Sequence, residues 1–316
     1  MPAALDGAIT IPRDLGIVID ELKQARADWR LAHDRVSERV LAFPSRQSLK
    51  RICRELGTAL FPLRLGPPEL NSSNENRWIE ATLESTLSQL TAQVALEVRL
   101  ARPDINSIEE ARVADNIVGA FAASLADIRR LLDGDVEAGY RNDPAARSVD
   151  EVLLSYPSLT AILHYRLAHR LYELGAPLIA RIIGEVAHAE TGIDIHPGAT
   201  IGAQLFIDHG TGIVIGETCV IGDRVRLYQG VTLGGEPLPA GAAHSNGDPR
   251  ARRHPFIADD VVIFAGAVLL GPITIGARSR IGGNLWLRTD VPPDSIVELE
   301  TPRIRPAGTS ASREEV

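Results

Sequence analysis

The chain has 316 residues, of which 45% are hydrophobic, and it carries a formal net charge of -8. This length allows two domains with substantial cores, and the acidic balance argues against a general nucleic-acid binder. No window holds the roughly 18 apolar residues that a membrane-spanning helix needs, so we expect no membrane association.

The N-terminal residues and the two cysteines bear on the cellular compartment. Residues 1–20 are interrupted by acidic residues and a proline, and they lack the basic region and apolar core of a secretory signal. Cys219 occupies a position of the repeat described below that otherwise holds Ile or Val. It is therefore predicted to be a small buried hydrophobe rather than a disulfide partner of Cys53. We expect a cytoplasmic protein.

Helical periodicity runs from the start of the chain to about residue 190. Apolar residues recur at helical spacing in two sets, which are Leu83, Leu87, Leu90 and Val94, and Val113, Ile117, Phe121, Ile128 and Leu132. Ser107 and Glu110 have the spacing of a capping box, which predicts a helix start at this point. We expect one long surface helix over residues 107–133, available for pairing chains.

Shorter helices are predicted before residue 190. Ser148 and Glu151 repeat the capping arrangement, and Gly and Pro stop signals predict helices over residues 158–174 and 177–190. For most residues of this half we expect packing and assembly rather than chemistry.

A repeat of six residues takes over from residue 194 and runs to residue 287. Its small aliphatic positions fall in two registers, Ile195, Ile201, Ile207, Ile213, Cys219, Val225 and Val231, then Ile257, Ile263, Leu269, Ile275, Ile281 and Leu287. A period of six matches neither a helix nor a strand, so it indicates a coil of fixed period whose repeats stack. Three six-residue sides per coil form a triangular prism of parallel strands, with about four coils here.

The two registers are separated by an insertion. The step from Val231 to Ile257 is 26 residues, which six does not divide, so residues 234–254 are predicted to leave the prism as a loop. The fold class is therefore α+β. We expect a helical N-terminal domain over residues 1–190, a prism domain over 191–300 and a C-terminal tail over 301–316.

Polar residues interrupt the repeat at two places one coil apart. Asp194 with His196, and Asp208 with His209, lie beside positions that favour apolar residues, and glycines flank them. For any single histidine a structural role is the better interpretation, but two such clusters favour a functional site. A third polar cluster, residues 248–255, ends the insertion, where a solvated loop is an equally good interpretation.

The run from residue 191 to 235, TGIDIHPGATIGAQLFIDHGTGIVIGETCVIGDRVRLYQGVTLGG, resembles the serine O-acetyltransferase family, whose hexads form a left-handed parallel β-helix. The similarity covers roughly residues 140–295. Its further motifs are Asp143-Pro144-Ala145, Tyr156-Pro157, Ala168-His169-Arg170, Arg253-His254-Pro255 and the segment 290–293.

The resemblance implies transfer of the acetyl group of acetyl-CoA to the hydroxyl of L-serine, giving O-acetylserine and CoA for cysteine biosynthesis, with no metal. A serine hydroxyl is a poor nucleophile at neutral pH, so direct attack on the thioester needs a general base with a fixed tautomer. By resemblance His209 is that base and Asp194 is its partner.

The resemblance also implies the binding residues. Asp143 and Asp208 would bind the ammonium group of serine, while Arg253 and His254 would bind its carboxylate. Acetyl-CoA would lie along a coil edge, where small residues let the pantetheine arm approach the backbone. The residues implied are Gly234, Gly235, Ala265 and Gly266.

The chain departs from the family pattern at two places, and the family implies an assembly. Residues 236–252 form a longer loop, richer in Pro, Ala and Arg, than the family's short Gly-rich one, and residues 297–303 replace its small-residue closing segment. The chain ends in Glu315-Val316 rather than the isoleucine that relatives insert into O-acetylserine sulfhydrylase, so that complex is not expected. We expect a homotrimer or a hexamer with sites between neighbouring chains.

Three alternatives stay open on the residues alone. The acceptor could be another small hydroxyl or amine, such as an aminosugar. A zinc lyase of the carbonic anhydrase type would need three converging histidines, and His196, His209 and His254 supply the number. The chain could also be a catalytically silent assembly partner that works through its helices.

Overall fold

The computed structural model describes residues 15–32, 42–236 and 251–300, and the chain forms two compact units. The first unit is Met1–Ala42, whose described helix is α1 (Leu15–Ala32). The second unit is Phe43–Val316, which contains the helices and strands described from here on.

The helices of the second unit pack around a main apolar core that continues into the strands, and Val136, Val152 and Leu159 form a smaller cluster beside α7. Leu49, Leu90, Phe121 and Ile162 are among the fully buried members of the main core. The helices are α2 (Arg46–Leu60), α3 (Pro62–Leu65), α4 (Glu75–Ala101), α5 (Ser107–Ala123), α6 (Leu125–Asn142), α7 (Val149–Ser155), α8 (Pro157–Glu173) and α9 (Pro177–Thr191).

The predicted helix over residues 107–133 is wrong in two respects. It is broken at Ser124, which ends α5 and caps the start of α6. Its N-cap is Asn106, whose side chain accepts hydrogen bonds from the backbone N–H groups of Ile108 and Glu109. Glu110 does not complete a capping box, because it forms a two-point ion pair with Arg99 of α4. A carboxylate gains more from a guanidinium than from one backbone N–H.

The later helix signals are confirmed. Ser148 is the N-cap of α7, with its hydroxyl accepting from the backbone N–H of Glu151 at 3.0 Å. Pro157 and Pro177 each stand in the first turn of a helix, where the missing N–H costs no hydrogen bond. The C-cap of α9 is Gly192, which has a φ of 70° in the left-handed region that favours glycine.

The strands from β1 onward form a parallel β-helix with three faces, and the predicted left-handed β-helix after a helical region is confirmed. Strands on one face pair in parallel with the strands of the coils above and below. The first face holds β1 (Asp194–Ile195), β4 (Val214–Ile215), β7 (Thr232–Gly234), β10 (Val268–Leu270) and β13 (Trp286–Leu287). The second holds β2 (Thr200–Ile201), β5 (Val220–Ile221), β8 (Phe256–Ile257) and β11 (Thr274–Ile275). The third holds β3 (Phe206–Asp208), β6 (Arg226–Tyr228), β9 (Val262–Ile263), β12 (Arg280–Ile281) and β14 (Ile296–Val297).

The register of the predicted hexads is wrong over part of the first set. Ile195 pairs with Ile215, not with Ile213, and Ile215 pairs with Leu233. The step from Ile207 to Ile215 is eight residues rather than six, so two extra residues lie where the third face turns into the first. Ile213, Cys219, Val225 and Val231 are buried too, but they are the second inward position of each side.

The insertion leaves the prism where the first face turns into the second. Leu233 of β7 is followed on the next face by Ile257 of β8, and Ile257 pairs with Ile221 of the preceding coil. The step between the equivalent positions Leu233 and Ile257 is 24 residues, which is a multiple of six. The 26-residue step counted from Val231 was therefore the wrong reason for predicting the insertion. Strand pairing is what requires the chain to leave and re-enter at this corner.

A buried ion pair joins the helices to the first coil. Arg166 of α8 and Asp135 of α6 have side chains 4% and 0% exposed, respectively. The guanidinium donates to both Asp135 oxygens and to the backbone carbonyls of Ile201 and Gly202, at 2.7 to 3.1 Å. Asp135 also accepts from the N–H of Leu205 at 2.9 Å. All three guanidinium nitrogens and both carboxylate oxygens of the pair therefore form hydrogen bonds.

The prediction that Cys219 is a small buried hydrophobe is confirmed. Cys53 and Cys219 are free and buried, and burial raises the pKa of each thiol to about 12. Across the described ranges, no helix is long and apolar enough to cross a membrane.

Candidate functional site

The corner where the third face turns into the first, called here the third–first corner, carries His209 on its two-residue enlargement. His209 has a φ of 55°, and Gly210 and Gly212 follow with φ of 86° and 79°. This left-handed run turns the chain sharply and leaves the His209 side chain 77% exposed. Its Nε2 lies 3.8 Å from Oδ1 of Asp208. The imidazole thus faces solvent beside a carboxylate.

Asp143 reaches the same corner from the helices. It is the C-cap of α6, and its carboxylate accepts a hydrogen bond from the Tyr156 hydroxyl and one from the Ala145 N–H at 2.8 Å. The Tyr156 bond is the main cause that lowers the pKa of Asp143, and the charge of His209 adds to it. In return the Asp143 carboxylate raises the pKa of Tyr156 to about 12, with a further contribution from Asp208. These mutual effects place Asp143, Asp208 and His209 in one electrostatic neighbourhood.

Asp194 lies on β1 of the first face and is half-buried. Among the described residues no hydrogen bond joins its carboxylate to His209. The predicted dyad of His209 and Asp194 therefore stays a prediction.

The second polar cluster lies at the first–second corner, where the first face turns into the second and the insertion returns. Arg253 forms an ion pair with Glu217, which also accepts from the Tyr172 hydroxyl at 2.8 Å. Although partial burial raises the pKa of Glu217, the hydrogen bonds from Arg253 and Tyr172 hold it below its usual value. His254 is 8% exposed and contacts Thr218. Its pKa is lowered by burial and then by the neighbouring Arg253 charge.

The predicted residues therefore fall at two corners of one chain. Asp143, Asp208 and His209 meet at the third–first corner, whereas Arg253 and His254 meet at the first–second corner. The six-residue first face separates these corners, and six extended residues span about 20 Å. The four small residues predicted to contact CoA divide in the same way. Gly235 lies beside His254 and Gly234 beside Leu270, while Gly266 stacks against Gly230 at the third–first corner, where Ala265 precedes it.

The histidines considered for zinc do not converge in one chain. His196 and His254 share the first–second corner, and His209 lies at the other. The Nδ1 of His196 accepts from the Gly198 N–H at 2.9 Å, and burial lowers the pKa of this ring to about 4. Within the described ranges no group of three His, Cys, Asp or Glu residues could hold a metal ion.

Sequence reasoning did not identify Glu217, Thr218 and the role of Tyr156. Glu217 and Thr218 lie 36 residues before Arg253 and His254, which is the offset between the paired strands β5 and β8. That offset would have found them once the coil register was known. Tyr156 carries no such signal, because it approaches Asp143 through helix packing.

No family model matches the chain. A protein named "Serine acetyltransferase, plasmid" from Synechococcus elongatus is 50% identical over 288 residues, covering 90% of each chain. The structure of Entamoeba histolytica serine acetyltransferase 1 in complex with L-cysteine matches with a TM-score of 0.69 and 34% identity, covering 78% of this chain and 86% of that one. A serine acetyltransferase in complex with CoA matches with a TM-score of 0.50 and 27% identity, covering 78% and 95%. Relatives this similar over nearly the whole chain establish that it belongs to the serine acetyltransferase family.

Proposed function

We propose that the chain transfers the acetyl group of acetyl-CoA directly to the hydroxyl of L-serine. His209 takes the hydroxyl proton as the oxygen attacks the thioester carbonyl, and CoA leaves as the thiol. Asp194 fixes the imidazole tautomer. The observation that carries this proposal is the exposed His209 on a corner that is enlarged by two residues. Its ring lies beside Asp208 and interacts electrostatically with Asp143.

The two polar clusters fit the two ends of an amino acid. Asp143 and Asp208 offer carboxylates to the ammonium group, and Arg253 with the His254 ring offers donors to the carboxylate. The structures of relatives with CoA and with L-cysteine support a site of this kind. We also propose a cytoplasmic location, which the free thiols of Cys53 and Cys219 support.

We expect purified protein to release free thiol from acetyl-CoA in proportion to added L-serine, with O-acetylserine as the matching product. Mass spectrometry identifies the product, and a thiol reagent measures the rate. D-serine and ethanolamine are the matched controls, because they misplace or lack the carboxylate. Thiol release that did not depend on L-serine, or that was faster with an aminosugar, would contradict the proposed acceptor.

We further propose that each site is shared between two chains of a homotrimer, which could pair into a hexamer. A single chain holds His209 and His254 at corners separated by a whole face, so one small amino acid does not reach both. A neighbouring prism that presents its first–second corner to the third–first corner would complete the site. The same pairing joins Gly234 and Gly235 of one chain with Ala265 and Gly266 of the next.

The shared site predicts complementation between inactive variants. His209→Ala and His254→Ala chains, unfolded together at equal amounts and reassembled, should recover about a quarter of wild-type activity, because a quarter of the interfaces pair two intact corners. Mass spectrometry and light scattering verify the mixed trimers.

The matched control mixes His209→Ala with Asp194→Asn, which damage the same corner. No interface in that mixture has an intact third–first corner, so activity should stay at the parental level. Verified mixed trimers of His209→Ala and His254→Ala that stayed equally inactive would show that each site is built from one chain.

A further inference from the structure

Thr218 connects the first–second corner to the segment that returns from the insertion. Its Oγ1 accepts hydrogen bonds from the backbone N–H groups of Arg253 at 2.9 Å and His254 at 3.2 Å. The same oxygen lies 2.8 Å from Nδ1 of His254, and the backbone N–H of Thr218 donates to that nitrogen at 3.2 Å. One threonine therefore contacts the ring and the backbone of the same histidine.

These contacts fix where the protons lie. A backbone N–H can only donate, so the Nδ1 of His254 must accept and carries no proton. Both lone pairs of the Thr218 hydroxyl are engaged by backbone N–H groups, so its own proton is directed to Nδ1. A neutral His254 ring then has its proton on Nε2.

The Nε2 atom of His254 lies in a space kept open by two glycines. A Cβ atom added at Gly216 would overlap the ring, and one added at Gly235 would lie 3.2 Å from Nε2. In the described part of the chain no group bonds Nε2, and this atom is not among the fully buried atoms without a partner. Nε2 is therefore available to a ligand.

We propose that Thr218 is a positioning residue that holds His254 as the Nε2–H tautomer, so that an uncharged ring donates a hydrogen bond to the carboxylate of the acceptor amino acid. The part concerning the substrate rests on the proposed function, whereas the tautomer does not. Arg253, which forms an ion pair with Glu217, supplies the positive charge, and the Nε2–H of His254 donates a hydrogen bond in a fixed direction. A donor that needs no ring protonation works at the pH at which His209 must be unprotonated.

The tautomer can be measured without activity. In 15N spectra of histidine-labelled protein near neutral pH, the His254 signals are assigned by difference against His254→Asn. We expect an unprotonated Nδ1 and a protonated Nε2. The opposite tautomer would overturn the proposal, and this result does not depend on which acceptor the enzyme uses.

The role of the hydroxyl is tested by kinetics of three variants. Thr218→Val should raise the KM for L-serine about ten- to a hundredfold, because two backbone N–H groups lose their acceptor and the ring loses a donor. Its KM for acetyl-CoA should stay within about threefold, because the lost hydrogen bonds go to Arg253 and His254 and none goes to Gly234 or Gly235. Thr218→Ser, which keeps the hydroxyl, should be within about threefold of wild type. Thr274→Val, on β11 of the second face and without a side-chain hydrogen bond to any described residue, is the matched control and should not differ.

Two outcomes of that experiment would overturn the proposal. One is a Thr218→Val enzyme with an unchanged KM for L-serine. The other is an equal loss toward serine and acetyl-CoA, which indicates general damage to the corner. A wild-type enzyme that does not acetylate L-serine would instead remove the proposed function and leave the tautomer result standing.

Discussion

His209→Ala should lower kcat about 10²- to 10⁴-fold, the usual contribution of a positioned general base, with little change in the KM for acetyl-CoA. The side chain is 77% exposed within the chain, so its removal should leave the folding of the chain unaffected. Steady-state kinetics at saturating L-serine measure the effect.

The matched control is His188→Ala, which removes an exposed histidine of α9 whose ring lies 3.6 Å from the carboxylate of Glu185 on the same helix. It should retain wild-type turnover. Asp194→Asn should also be slow, because an amide can hold the imidazole in the wrong tautomer. Near wild-type turnover of His209→Ala would assign the base to another residue.

Asp135→Asn should destabilise the protein by about 3–5 kcal/mol, because it leaves the buried Arg166 guanidinium without its counter-charge. The change in the urea midpoint at fixed protein concentration measures this effect. Since the pair joins α6 and α8 to the backbone of the first coil, we expect helices and prism to lose their contact together.

Asp133→Asn is the matched control on the same helix. Asp133 forms an exposed ion pair with Arg129 at 2.9 Å, and exposed pairs contribute about 0–1 kcal/mol. The two substitutions make the same chemical change two residues apart. Equal and small effects would mean that the Asp135–Arg166 pair does not hold the junction.

The prism was predictable from the sequence because its aliphatic positions recur every six residues along the chain. Each aliphatic position needs only its neighbours in the coil, and the hexads after Ile257 have the predicted register. The register from Ile213 to Val231 was not predictable by counting, because Ile213 and Ile215 are both buried aliphatics. Only strand pairing distinguishes them.

The site was predictable only in part. Histidine and aspartate stand out against aliphatic hexads, so His209 and Asp208 were identified directly. Thr218 was missed because a threonine beside a strand is ordinary, and the three contacts of its hydroxyl with the returning segment depend on which coils are adjacent. Glu110 was misassigned because its preferred partner, Arg99, lies on another helix.

Because the chain leaves and re-enters the prism at one corner, the stacking of the coils does not depend on the number of residues in the insertion. Removing one residue from a coil would move every later aliphatic side chain out of the core, whereas strands β5 and β8 stay paired whatever the number of residues between Glu236 and Ala251. Each doubling of the length of a loop costs only about 0.6 kcal/mol of closure free energy. Variation in length among related enzymes should therefore concentrate here, and foreign peptides could be inserted here without disturbing the coils.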